Sequence, residues 1–100
     1  MAHSVKLTEI ARRDLEAIVR YIAFESPQRA QAFGAFLLDK TAVLSTHPRM
    51  GRVVPEFGLE HLRELQVRRH RIIYRLKDGA NQVEVLRFWH AARGSPELSV

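Results

Sequence analysis

The chain has 100 residues, and 46% of them are hydrophobic, enough to pack one core and too many for wholesale disorder. It carries 16 Lys and Arg against 11 Asp and Glu, a formal net charge of +5, which suits either an anionic partner or a well-solvated face. With no cysteine it has no disulfide, thiolate metal site or cysteine nucleophile, and no apolar run approaches the roughly 18 residues of a membrane span.

Val5 and Leu7 alternate weakly and predict a short first strand. Thr8 then stands as an N-cap. Ala11, Leu15, Ile18, Val19 and Ile22 recur at spacings of three and four and predict a helix over 9–24. Its opposite face holds Arg12, Arg13, Glu16 and Arg20, with Glu9–Arg13 and Glu16–Arg20 as i,i+4 pairs. Ser26-Pro27 restarts the chain: Ser26 can cap, and Pro27 suits the first helical position, where its missing N–H would find no partner anyway. The second helix has Ala30, Phe33, Leu37 and Leu44 on one face and Phe36, Leu38 and Val43 beside them, and Pro48 marks its end. So short a link makes the two helices an antiparallel hairpin.

The stretch from His47 to Gly51, extended by Pro55 and Gly58, reads as loop. After it the period becomes two. Residues 62–67 form a strand with Arg63, Leu65 and Val67 on one face. Arg68-Arg69-His70 is a basic turn. Residues 71–76 put Ile72, Tyr74 and Leu76 on one side and Arg71, Ile73 and Arg75 on the other. Asp78-Gly79 is a hairpin signal, and residues 82–89 form a last strand, Val83 and Val85 facing one way, Leu86 and Phe88 near or on the other. Residues 94–100 read as a loose tail. The expected fold is therefore α+β, a β-α-α-β-β-β chain in one domain spanning 1–100, with the helical hairpin covering one face of an antiparallel sheet. The N-terminus lacks the charged and apolar regions of a secretory signal, so a cytoplasmic location is expected.

The charge is unevenly spread. Residues 1–60 hold 8 basic and 7 acidic side chains, whereas residues 61–93 hold 8 basic and only 3 acidic. The candidate chemistry lies there too. The five histidines form no i,i+4 pair and no cluster with carboxylates at ligand spacing, so no metal site is expected. There is no glycine-rich phosphate loop and no serine in an elbow-like context. Basic and aromatic residues interleave instead: Arg71, Tyr74 and Arg75, then Arg87, Phe88, Trp89 and His90, then Arg93. Such a surface can cradle and stack single-stranded nucleic acid. A metal-free RNA cleavage would need a base, a cation and an acid, roles that Glu56 or Glu64, Arg71 or Arg75, and His90 could fill. The bland reading is the commoner case for such residues: core aromatics, a solvated arginine edge and a hydrogen-bonded structural histidine.

The chain order and motifs together resemble the RelE/ParE superfamily of type II toxin–antitoxin toxins, on the ParE branch. The resemblance is carried by Val5-Lys6-Leu7-Thr8, Ala11 to Leu15, Ile18 to Ile22, Ser26-Pro27, His47 to Arg52 and Leu62 to Leu65. Its most specific parts are Arg71-Ile72-Ile73-Tyr74-Arg75 and Val85 to Arg93. It implies a growth-inhibiting toxin without cofactor, in a hetero-oligomer with a ParD-like antitoxin that wraps the helical hairpin and the sheet and alone contacts operator DNA. The implied antitoxin contacts are Leu15, Ile18, Ile22, Phe33, Phe36, Leu37, Arg63 and Arg75. The implied target is DNA gyrase, met through Arg71, Tyr74, Arg75, Arg87, Trp89, His90 and Arg93, with no catalytic residue. RelE-like relatives instead cut mRNA on the ribosome, and in that reading Glu64, Arg71, Arg75 and His90 would act. Glu64 favours the binding poison, because an acid where cutting relatives place a cation would oppose phosphorane charge. The lysine-rich cluster expected of RelE is also missing. An inert homologue kept for antitoxin binding is the third alternative.

Overall fold

The computed structural model describes residues 2–98. In chain order it has β1 (Ser4–Leu7), α1 (Glu9–Ala23), α2 (Pro27–Ala42), β2 (Arg52–Val53), β3 (Leu62–Val67), β4 (His70–Lys77) and β5 (Gln82–His90). Short 3₁₀ turns cover Val43–Ser45, Asp78–Ala80 and Ala91–Arg93. Both predicted caps are made. The Thr8 hydroxyl accepts the Ala11 N–H at 3.1 Å, and the Ser26 hydroxyl accepts the Arg29 N–H at 3.2 Å.

The sheet order is β1-β5-β4-β3-β2. This α+β arrangement is the one expected, with two additions. Arg52–Val53 forms a two-residue edge strand against β3, too short to show a period in the sequence. And β1 runs parallel to β5, so the sheet is mixed rather than wholly antiparallel. Parallel neighbours require a crossover, and here the whole chain from Thr8 to Asn81 supplies it.

The helical hairpin packs on one face of the sheet. The core there comprises Ala11, Leu37, Leu44, Val67, Ile72, Tyr74, Leu76, Val83, Val85 and Phe88. Phe88 thus joins Val83 and Val85 rather than facing away. A β-bulge causes this: Ile73 pairs with Arg87 but Tyr74 pairs with Val85, leaving Leu86 unmatched. One extra residue inverts the alternation beyond it. Within the hairpin, Gly34 lets the helices approach closely, since a Cβ there would lie 3.0 Å from Val19 Cγ2.

The other face carries a smaller cluster: Val54, Leu62, Ile73, Leu86 and Trp89, roofed by Phe57 and Leu98. The tail expected to be loose from Gly94 is packed up to Leu98. Pro96 is buried, Trp89 Nε1–H donates to the Gly94 carbonyl at 3.0 Å, and Arg87 donates to the Glu97 carbonyl at 3.1 Å. An apolar sheet face without helices recruits whatever chain is near, and here that is the tail. Residues 99 and 100, also part of that expected tail, lie outside the described residues.

Candidate functional site

Three mid-strand arginines singled out in the sequence are each bound to a carboxylate. Arg71 is buried; its guanidinium meets Glu56 through Nη1 and Nη2 at 2.8 and 2.7 Å and Glu64 through Nε at 2.6 Å. Glu64 is wholly buried and also accepts from Arg52 at 2.7 Å. The Arg71 hydrogen bonds hold the Glu56 carboxyl down at about 2, and the two carboxylates in turn push Arg71 further up, so Glu56 and Arg71 both stay charged. Arg75 pairs with Glu84 at 2.5 Å. Arg87 grips both oxygens of Asp14, which also accepts the Phe88 N–H. These pairs pin β4 and β5 to the loop after β2 and to α1.

Tyr74 is likewise structural in its surroundings. Its side chain is buried, and its hydroxyl accepts the Gly51 N–H at 3.0 Å. Burial pushes the phenol up, which keeps it protonated. Gly51 is tight because a Cβ there would fall 2.5 Å from the Glu64 carbonyl and 2.6 Å from the Tyr74 hydroxyl. Arg63 donates to the Gly51 carbonyl at 3.1 Å and to Glu60. So the Arg71–Arg75 motif and Arg63 hold the 47–53 loop against the sheet.

The uncommitted cations lie elsewhere. Among the described residues, Arg29, Arg68, Arg69 and Arg93 make no ion pair. The first three line a groove of about 620 Å³ between α2 and the β3–β4 turn, together with Ile22, Ala32, Phe33, Phe36, His70 and His90. Arg68 stands in the left-handed region at φ 56°, and its guanidinium lies 5.6 Å from the Phe33 ring centre and 4.6 Å from that of Phe36. A left-handed backbone is uncommon for arginine and is tolerated here beside that stacking. A second hollow of about 370 Å³ shares Ile22, His70 and His90 and continues to Tyr21 and Arg93. Arg93 in turn lies 3.9 Å over the Trp89 ring.

Of the residues marked in the sequence, the structure brings Ile18, Ile22, Phe33, Phe36, His90 and Arg93 to this groove or its continuation. Leu15 and Ile18 are half-buried against the core, and Leu37 lies wholly inside it. Arg63, Arg71, Arg75 and Trp89 line neither hollow. The sequence pattern assigns no contact role to Arg29, Arg68, Arg69 or His70. The basic tripeptide 68–70 was the available signal, but only the hairpin places it opposite Phe33 and beside His90. No group of three or more metal-ligating side chains comes together among the described residues.

The family of ParE toxins of type II toxin–antitoxin systems, parDE, matches residues 5–94. The chain belongs to that family. Solved structures agree in fold. A chain of the chromosomal ParDE toxin–antitoxin system from P. aeruginosa superposes with a TM-score of 0.73 at 22% identity, covering 89% of this chain and 96% of that one. A chain of the RelBE2 toxin–antitoxin complex from Mycobacterium tuberculosis gives a TM-score of 0.67 at 26% identity, covering 90% and 99%. No curated protein matches the sequence. No helix among the described residues of this ParE-family toxin is long and apolar enough to cross a membrane.

Proposed function

We propose that this toxin stops growth by binding rather than by catalysis, with DNA gyrase as its target, and that a ParD-like antitoxin neutralises it by lying in the Phe33–Phe36 groove. One observation supports the non-catalytic reading. Glu56, Glu64, Arg71 and Arg75, the base and cation candidates of an RNA-cleaving set, are all consumed in ion pairs. A wholly buried Glu64 with two arginine partners cannot take a proton from a 2′-hydroxyl. For the antitoxin seat, the groove offers an apolar floor with cations at its rim, which suits the apolar face and acidic flanks of an amphipathic segment. The complex would act in the cytoplasm and meet operator DNA through the antitoxin.

Purified toxin is expected to inhibit gyrase supercoiling and to trap cleaved DNA, with translation untouched. Unaffected supercoiling alongside arrested translation rejects the gyrase target. The RelE-like reading has its own support in His90, which sits beside a second histidine and unpaired arginines. It requires ribosome-dependent cuts in a reporter mRNA that disappear in His90→Ala. Harmless expression in the absence of the antitoxin would instead indicate an inert homologue.

A further inference from the structure

The end of the groove holds two rings in contact. His70 and His90 are direct cross-strand partners, with ring centres 5.0 Å apart in an edge-on arrangement. His90 Nδ1 accepts the Ala92 N–H at 3.0 Å, which places the neutral ring's proton on Nε2. His70 Nδ1 is buried with no partner. Burial and the neighbouring His90 both hold His70 below its ordinary value, so His70 is uncharged at neutral pH.

The groups facing this pair come from every element around it. α1 presents Asp14 and Tyr21, α2 presents Arg29, the β3–β4 turn presents Arg68 and Arg69, and the last 3₁₀ turn presents Arg93. The only carboxylate of these, Asp14, is taken by Arg87 and the Phe88 N–H. The pair therefore sits in a cationic field that repels a metal ion and favours an anion.

We propose that His70 and His90, within the ring of Arg29, Arg68, Arg69 and Arg93, form an oxyanion subsite that takes a carboxylate side chain of an acidic amphipathic peptide with uptake of one proton. The proposal rests on the groove being the antitoxin seat. The floor of Ile22, Ala32, Phe33 and Phe36 selects a peptide, because it receives aliphatic side chains while the rim receives the acidic ones. A carboxylate brought to the pair favours imidazolium, because it accepts a charge-assisted hydrogen bond from a ring N–H. Binding then tightens as pH falls toward 6, by at most about tenfold per pH unit for one proton.

The probe is a fluorescein-labelled helical peptide of alternating leucine and glutamate pairs, titrated with the toxin by anisotropy between pH 8 and 5.5. A control peptide carries glutamine for glutamate. The glutamate peptide is expected to bind severalfold tighter per pH unit, the glutamine peptide with no slope, and the His70→Gln/His90→Gln toxin with no slope. Because that variant alters a turn, wild-type toxin is also followed by NMR, in which the His70 ring resonances should titrate at higher pH with peptide bound. Binding with a flat pH profile and unmoved histidine titrations overturns the subsite while leaving the antitoxin groove intact. No binding at any pH overturns both. A single-stranded oligonucleotide that competes with the same pH slope would assign the subsite to phosphate and overturn the peptide.

Discussion

The two faces of the sheet are covered by different means. On the helical face, a 31-residue pair of helices buries aliphatic and aromatic side chains in a continuous core free of ion pairs. On the other, five buried apolar residues are roofed by one loop and the tail, and arginine–carboxylate pairs do the fastening. The difference separates two kinds of arginine. Those within β4 and β5 are structural because their guanidinia reach carboxylates on α1, β3, β5 and the loop after β2. Those at the turn and after the last strand have no carboxylate in reach and remain available to a partner.

Predictions follow from breaking each face in turn. The largest effect is expected at Glu64→Leu, which strips Arg52 and Arg71 of a wholly buried carboxylate. Removing one member of a buried pair costs about 3–5 kcal/mol, measured as a fall in urea midpoint; a neutral result would mean the ion network is dispensable. Leu37→Ala on the helical face should cost about 2–5 kcal/mol, and that loss should not change with salt. Tyr74→Phe removes the acceptor of the buried Gly51 N–H and should cost about 1–3 kcal/mol; an unchanged midpoint would show the 47–53 segment to be held without that bond, by Arg63 and the Arg52–Glu64 pair.

Acid should separate the faces more gently. Glu56 has an ordinary value of 4.5 and a folded value of about 2. Its contribution is therefore present above about pH 4.5 and lost as pH falls through about 2, so stability should decline across that window and decline less in Glu56→Gln. The smallest stability effect is expected at Arg68→Gln with Arg69→Gln, within about 0.5 kcal/mol by thermal melt. The same double variant should weaken binding of an acidic partner and flatten its salt dependence. A large loss of stability there would erase the distinction between the two kinds of arginine.

Most of the fold was legible in local pattern. Helix starts at Thr8 and Ser26-Pro27, the alternation of Ile72, Tyr74 and Leu76, and the sense of each hairpin all depend on residues within a few positions of one another. The site was less legible. The arginine-rich motifs stood out as candidate contacts, yet charge and spacing carry no information on whether a carboxylate waits opposite. Asp14 and Arg87 are 73 residues apart, and Arg71 meets Glu56 across 15.

The sequence by itself determined which segments are helix and strand, that one sheet face takes the helical hairpin, and that the excess charge belongs to residues 61–93. The tertiary structure alone decided the rest. It turned Phe88 inward through a bulge, laid β1 parallel to β5, and folded the tail over Trp89. It also neutralised three arginines and left the turn at Arg68 and Arg69 beside two histidines as the open cationic end of the groove. The physical reason is range: secondary structure answers to neighbours along the chain, whereas the fate of a charge answers to whatever the fold places within a few ångströms of it.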